Sequence, residues 1–351
     1  MTVSSREERI LGIIETARSK RPRFKDERIT MAHGAGGKAT QTLIEGLLAP
    51  AFGMDELADA AVVGEGIALT TDSFVVKPLR FPGGSIGELA VNGTVNDLAV
   101  AGARPLALSL ALVLEEGLES GVLRAEVEAM AQAAEAAGVQ IVTGDTKVVE
   151  RGHADGMYVC TTGVGLRDPR AALSPGAVVP GDRVLVSGSL GEHGTAIMLA
   201  RGDLGLDADI ESDTRSLWPA VDAMLSSAVH CIRDATRGGV ASVLNEIARA
   251  AGVAIVVREA DVPVDPRVAG AAELLGIDPM YVANEGKLVA FVAPAQADAA
   301  LEALRAMPGC EQAAEIGEVK TEPPGMVLVE TAFGGRRVMD QLVGDPLPRI
   351  C

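Results

Sequence analysis

Carboxylates set among apolar and glycine-rich segments are the first feature of this chain that could do chemistry. Asp72 interrupts the apolar run Ile67-Ala-Leu-Thr-Thr-Asp-Ser-Phe-Val-Val, and Asp97 follows Asn96 in a helical stretch that also carries Asn92. Asp145 lies in Gly144-Asp-Thr-Lys147 after the strand-like Val139–Thr143, and Asp234 lies in Ile232-Arg-Asp-Ala-Thr-Arg-Gly-Gly239. A carboxylate in such surroundings is costly unless it is paired or meets a metal. An all-oxygen set suits Mg²⁺, which usually bridges carboxylates to phosphates. Glycines ahead of a helix add backbone N–H groups that can face an anion, as in His33-Gly-Ala-Gly-Gly37 before the helix Thr40–Leu48. That loop is not a Walker A motif, because Ala32 and Ala39 stand where Gly and Ser or Thr are required. His33 has a second possible role as a helix cap.

The other reactive feature is Pro346-Leu-Pro-Arg-Ile-Cys351. Two prolines fix φ and remove N–H donors, so the segment extends neither a helix nor an interior strand. An extended, mobile tail ending on a thiol is expected, and a prenylation box would need three residues after the cysteine. At roughly 3.1 Å per residue the chain beyond Met339 could carry the thiol about 30 Å, far enough to enter an active site and to leave it.

The elements that must position these groups are those of an α/β (α+β) chain. Helices are expected at Ser85–Ala101, Ser120–Ala137, Leu217–Ala228, Val240–Ala250, Pro266–Leu275 and Ala295–Ala306. Strands are expected at Val139–Thr143, Met157–Gly163, Arg183–Ser187, Val253–Val257, Leu288–Val292 and Met326–Glu330. Gly144–Lys147 reads as a turn at a strand end, where α/β sheets seat their ligands. The three prolines of 168–182 mark a linker, so the division is a charged extension 1–28, a first domain 29–167, a second domain 183–340 and the tail 341–351. The basic turn Lys20–Arg23 has no assigned role, and His153 and His193 read as surface residues.

Composition narrows the partners. At 351 residues, 48% hydrophobic and only 3% aromatic, the chain can build two cores from aliphatic side chains. A net charge of −17 argues against nucleic acid and anionic membrane, since both demand clustered Lys and Arg. Cys160, Cys231, Cys310 and Cys351 show neither zinc-ligand spacing nor a disulfide framework. No apolar run reaches membrane-spanning length and no signal segment opens the chain, so a cytoplasmic protein with reduced thiols is expected.

The combination of Thr-Asp-Ser, Asn-Asp, Thr143-Gly-Asp-Thr-Lys147 and Arg233–Gly239 resembles the superfamily of aminoimidazole-ribonucleotide synthetase, selenophosphate synthetase and thiamine-monophosphate kinase. Within it, His33–Gly37, Phe81-Pro-Gly-Gly84, Asn96-Asp-Leu-Ala-Val100, Ala283–Leu288 and Pro346–Cys351 are similar to the hydrogenase maturation family HypE, the carbamoyl dehydratases. The likeness covers roughly residues 29 to 351 and leaves out the first 28. It implies two α/β domains, dimerisation through the first, and ATP with Mg²⁺ in an acid-lined cleft. The residues implied for ATP are His33, Gly34, Gly36, Gly37, Asp72, Asn96, Thr143, Gly144, Asp145, Asp234, Thr236, Arg237 and Gly238. Those implied for the metal are Asp72, Asp97, Asp145 and Asp234.

The resemblance also implies a reaction. Cys351 receives a carbamoyl group from a partner carbamoyltransferase, HypF, and ATP drives dehydration of that S-carboxamide to a thiocyanate. The cyano group then passes through a HypC–HypD complex to the iron of [NiFe]-hydrogenase. A base is needed beside the tail. A lysine with an ordinary pKa would be handicapped by roughly 4.6 kcal/mol at pH 7 whereas a glutamate is already ionised, which favours Glu285 as base and Lys147 as the group steadying oxyanion or phosphate. The reverse assignment requires a strongly desolvated Lys147. Two rival readings stand beside this one: another superfamily enzyme that phosphorylates a free small molecule, and a non-enzymatic carrier whose nucleotide site regulates.

Overall fold

The structure is a computed structural model that describes residues 23–54, 57–202, 208–226, 228–342 and 350–351. The extension up to residue 22, with most of its basic turn, and tail residues 343–349 lie outside the described residues. The chain divides into two compact units. In the first, described over 23–54, 57 and 342, α1 (Lys38–Leu43) follows the glycine loop and runs on through a π turn, Ile44–Leu48, to a last turn, Ala49–Phe52.

The second unit holds two sheets. Strand alternation builds the first: β1 (Ala61–Val63), β2 (Ile67–Phe74), the short hairpin β3 (Arg80–Phe81) and β4 (Gly84–Ser85), β5 (Ala103–Glu115), β6 (Gln140–Val149) and β7 (Met157–Arg167). The order is β1-β2-β7-β5-β6, with the hairpin apart. On β2 the residues Ala68, Thr70 and Phe74 are buried, and on β7 every second residue from Met157 to Gly165 is buried, so one face is covered. The cover is α2 (Ile86–Val100), which is buried nearly all round because it packs on this sheet and also reaches the second one. β5 and β6 are parallel and therefore need a crossover, which α3 (Ser120–Ala137) supplies.

The second sheet is built from β8 (Arg183–Val186), β9 (Val229–Asp234), β10 (Ala254–Arg258), β11 (Leu288–Val292), β12 (Ala314–Lys320), β13 (Met326–Glu330) and β14 (Arg336–Met339). Its order is β14-β13-β10-β12-β8-β11-β9, antiparallel except for β10–β13. β11 is fully buried and feeds both faces. Val289 and Phe291 enter a core shared with Val240, Leu244 and Ile247 of a helix over Gly239–Ala251, while Leu288, Ala290 and Val292 enter one shared with Val221 and Leu304. Mixed sheets packed with helices are the expected class. Two elements differ: the helix expected over Leu217–Ala228 spans Trp218–Met224, and Gly144–Lys147 is not a turn, because β6 continues through it to Val149, held in register by β5 from Ala107 to Glu115.

Asn96 fastens the two sheets together. Its Nδ2 donates to the carbonyls of Arg215 (2.9 Å) and Glu285 (3.2 Å), and its Oδ1 accepts from the Leu217 N–H (2.7 Å). The residue is 1% exposed, so none of these groups can turn to water instead. Asn96→Ala should therefore destabilise the protein by about 3 kcal/mol in urea unfolding, one modest bond at a time plus unsatisfied backbone groups. A change below about 0.5 kcal/mol would show that the amide is not a tether.

Candidate active site

β9 and β11 are antiparallel neighbours with Asp234 opposite Leu288, so the loops leaving them emerge at one end of the sheet. Those loops carry Thr236, Arg237 and Gly238 on one side and Ala283–Lys287 on the other. Asn284 welds them: its Nδ2 donates to the carbonyls of Ala235 (3.1 Å) and Val282 (3.2 Å), and its Oδ1 accepts from the Gly191 N–H (2.8 Å). Gly238 and Gly239 both take positive φ, and a Cβ at Gly239 would lie 2.5 Å from the Met280 carbonyl. That turn needs glycine for conformation and for space.

Against these loops α2 and the first sheet present further acids. Carboxylate oxygens of Asp59, Asp97 and Asp234 lie within 4.8 Å of one another. Thr70 Oγ1 donates to Asp97 Oδ2 (2.7 Å), and Arg233 Nε pairs with Asp59 Oδ2 (2.7 Å). Burial, then Asp234, Asp59 and Asp72, push the Asp97 carboxyl well above the usual range. Asp234 is pushed up to about 8 by burial and by Asp59, against the pull of Arg233. Asp72, beside Gly93 of α2, is raised by burial, and Arg237 opposes the rise. A close, half-buried group of oxygens that repel one another fits a hard divalent cation, so Mg²⁺ is chemically suited to Asp59, Asp97 and Asp234 with Asp72 close by.

Glu285 is buried, its backbone N–H donates to Asp213 Oδ1 (3.0 Å), and its side-chain Oε1 has no hydrogen-bond partner. Burial, then Asp72, Asp234 and Asp213, hold its carboxyl well above the usual range while Arg237 works the other way. It is therefore not the ordinary, already ionised glutamate that the sequence suggests. Beside it, Lys287 is buried between Glu192 (2.7 Å) and Asp213 (3.2 Å). Burial disfavours a charged Asp213, yet Lys287, the Glu285 N–H and His193 together lower its pKa.

The last two residues sit in the same unit. Val75 N–H donates to the Cys351 carbonyl oxygen (3.1 Å), His193 Nε2 lies 2.6 Å from the Ile350 carbonyl, and the Ile350 side chain is buried in the core that holds Phe74, Phe81 and Ile86. Arg237 is raised chiefly by charge on Cys351, burial opposing, and further by Asp72, Glu285 and Asp97. Charge on Cys351, Glu285, Asp72 and Asp97 thus acts on one arginine.

Several expected residues lie elsewhere. Asp72 on β2 is in one row with Thr161, Leu110 and Gly144 across the sheet, so β6 is about 14 Å away at three strand spacings. Alternation then turns Asp145 and Lys147 to the face opposite Asp72, where they are exposed and pair with each other at 2.6 Å. They do not join Asp97, Asp234 or Glu285 within this chain, and Thr143 and Gly144 are exposed on the same strand. Asn96 spends its amide on backbone groups, as described above. His33, buried in the first unit, closes its helix start: Nδ1 accepts from the Thr30 N–H (3.0 Å), so Nε2 donates to Asp26 (2.9 Å). Gly34, Gly36 and Gly37 belong to that unit, with Gly36 at positive φ and its N–H donating to Thr40 Oγ1 (3.0 Å). His193, read as a surface residue, is fully buried. Asp59, Asp213 and Lys287 had no place in the expected site. Asp59 belongs to no motif, whereas His193 between two glycines at a helix start was a usable sign.

A two-sheet unit with a half-buried carboxylate cluster between its first sheet, α2 and the end of β9 defines an ATP-site fold of the AIR synthase type. The N-terminal domain model of AIR synthase related proteins matches residues 57–167 and the C-terminal domain model matches residues 179–329. Carbamoyl dehydratase HypE of Rhodobacter capsulatus is 52% identical over 338 residues, covering 93% of this chain and 99% of that one. A crystal structure of a HypE–HypF complex superposes with TM-score 0.82 at 44% identity, over 86% of this chain and 99% of that one. HypE in complex with ATP gives TM-score 0.79 at 43% identity, over 92% and 100%. The chain belongs to the carbamoyl dehydratase HypE family of hydrogenase maturation enzymes. Among the described residues no helix is long and apolar enough to cross a membrane.

The repulsion inside the cluster sets a pH dependence. Between about pH 4, where a free aspartate titrates, and about 8, the folded cation-free protein keeps a proton at Asp234 that the unfolded chain has released. Stability therefore falls as pH rises through that window. Thermal unfolding without Mg²⁺ should give a lower Tm at pH 8.5 than at pH 6, with millimolar Mg²⁺ restoring it. Asp234→Asn should flatten the pH slope, stabilise the cation-free protein by about 1–3 kcal/mol at pH 8.5, and remove the Mg²⁺ effect. A pH slope unaltered in Asp234→Asn would show that the cluster does not store this repulsion.

Proposed function

We propose that the chain dehydrates an S-carboxamide carried on its own Cys351 to a thiocyanate, at the expense of ATP, to supply cyanide for the iron of [NiFe]-hydrogenase. The observation that carries this is Cys351 seated in the unit that holds Glu285, Arg237 and the buried carboxylates. An amide oxygen leaves poorly as oxide. Its transfer to the γ-phosphoryl of ATP, with ADP leaving, turns it into a phosphate leaving group. Loss of the two amide protons then forms the C≡N bond and expels phosphate. The balance is carboxamide and ATP to thiocyanate, ADP and phosphate.

Glu285 takes the amide proton. Its raised pKa makes it a stronger base than an ordinary carboxylate, and its unpartnered Oε1 is free to receive a proton. Arg237 sits where negative charge gathers between Cys351 and the acids, and steadies the developing oxyanion. Asp59, Asp97 and Asp234, with Asp72 close by, would hold Mg²⁺, which would supply positive charge to offset the phosphates of ATP. The carbamoyl donor is HypF and the cyanide acceptor is a HypC–HypD complex, in the cytoplasm, where thiols such as that of Cys351 stay reduced. The functional division is 29–167 and 183–340, joined by 168–182.

The reading includes a homodimer. The face of the first sheet turned away from α2 exposes Ile67, Leu69 and Leu166 and carries Asp145 and Lys147. A second copy on this face covers the apolar residues and brings Asp145, Lys147, Thr143 and Gly144 to the partner's cleft, with Lys147 steadying phosphate there.

Protein carbamoylated at Cys351 and given Mg-ATP should lose the mass of one water while ADP forms; an unchanged mass with ATP present favours a carrier. Glu285→Gln should slow the single-turnover rate by about 10²–10⁴. If Glu285 and Lys147 serve one site from two copies, mixing inactive Glu285→Gln with inactive Lys147→Ala should recover about a quarter of the parent activity. No recovery on mixing counts against the shared site.

A further inference from the structure

We propose that His193 is a positioning residue that grips the C-terminal main chain at Ile350 and, through the segment Ser212–Thr214, sets the tail and Glu285 in one register. The inference rests on the dehydratase reading for its catalytic consequence, though not for the grip itself.

The geometry fixes the direction of each bond. His193 is fully buried, at the start of the helix Glu192–Ala200, with Nε2 2.6 Å from the Ile350 carbonyl and Nδ1 2.8 Å from Ser212 Oγ. Burial pushes its pKa down, so the ring is neutral and offers one donor and one acceptor. A carbonyl can only accept. Nε2 therefore carries the proton and Nδ1 accepts from the Ser212 hydroxyl, leaving the Ser212 oxygen to accept from the Thr214 N–H (3.2 Å). The Phe81 ring packs edge-on to the imidazole, with centroids 5.6 Å apart.

Ser212–Thr214 is itself held on every side. Ser212 N–H donates to the Pro82 carbonyl (2.8 Å), and the hairpin can come this close because Gly83 has positive φ and a Cβ there would lie 2.7 Å from Ser212 N. Asp213 accepts from the Glu285 N–H and pairs with Lys287, and Thr214 Oγ1 accepts from Asn92 Nδ2 (3.2 Å). A Cβ at Gly286 would lie 1.8 Å from the Asp213 carbonyl. Three consecutive residues thus touch the histidine that holds the tail, the backbone of the proposed base, and a polar side chain of α2. Ile350 reaches this segment through His193, and Glu285 through its N–H to Asp213.

The test measures seating and chemistry separately. In a Cys160→Ser background, the rate of Cys351 alkylation by iodoacetamide is followed by mass spectrometry of the terminal peptide. His193→Ala should raise that rate about tenfold, the loss expected for one good buried hydrogen bond. It should lower single-turnover dehydration of the carbamoylated protein by a similar factor, with KM for ATP within about twofold of the parent. His193→Gln, whose amide N–H can still reach the Ile350 carbonyl, should recover most of both. If His193→Ala does not fold, Ser212→Ala, which keeps the ring and removes its orienting hydroxyl, should raise alkylation about threefold. An alkylation rate equal to the parent's in a folded His193→Ala, or in Ser212→Ala where that protein is the one read, overturns the proposal, as does failure of His193→Gln to recover either readout. Should alkylation respond while the parent itself yields no thiocyanate, the dehydratase reading fails and the grip stands.

Discussion

Mutual repulsion among acids held away from water is the interaction on which the second unit turns. Asp59, Asp72, Asp97, Asp234 and Glu285 each carry a carboxyl pKa raised above its ordinary value, and in each case burial comes before any neighbouring charge. A protein can hold such a group only if the surrounding packing is strong enough to bear the cost. Here that support is α2, buried nearly all round, and the two cores that flank β11. Arg233 and Arg237 offset part of the charge from the side of the second sheet.

That arrangement explains why rigidity is concentrated where it is. Asn96 and Asn284 satisfy backbone groups rather than substrates, and both do so next to the acids. A cluster under repulsion would relax apart if the loops bearing it could move. Fixing those loops by amide side chains, and by glycines such as Gly239 and Gly286 where backbone approaches backbone, keeps the oxygens close enough to share a ligand.

The two-sheet class and the glycine turn into the helix at Gly239 were legible because apolar periodicity and turn residues are local signals. Asp72 drew notice as an acid in an apolar run, Asp97 as part of a polar helix face and Asp234 as an acid before a glycine turn, and the structure brings Asp97 and Asp234 within reach of one another. Gly144–Lys147 was read as a strand-end turn, and only that local reading fails. Whether β6 stops before or after Gly144 is decided by β5, whose ladder extends to Glu115 and pulls the strand on with it. Asp59 and His193 depend on contacts across long stretches of chain, and no spacing rule reports those. The ionisation of Glu285 was misjudged from its type alone. A glutamate's pKa belongs to its surroundings, and those are made by residues up to about two hundred positions away.

The same charges give the base its timing. Glu285 feels Asp72, Asp234 and Asp213 as neighbours that disfavour its ionised form, and Arg237 as the one named group that favours it. Positive charge added among those acids therefore lowers its pKa toward the range where a carboxylate accepts a proton at neutral pH. Arg237 answers in turn to charge on Cys351. Tail, base and carboxylate cluster are then linked by electrostatics alone, without any moving part. On the proposed reading, a cation held among the acids therefore favours proton transfer to Glu285.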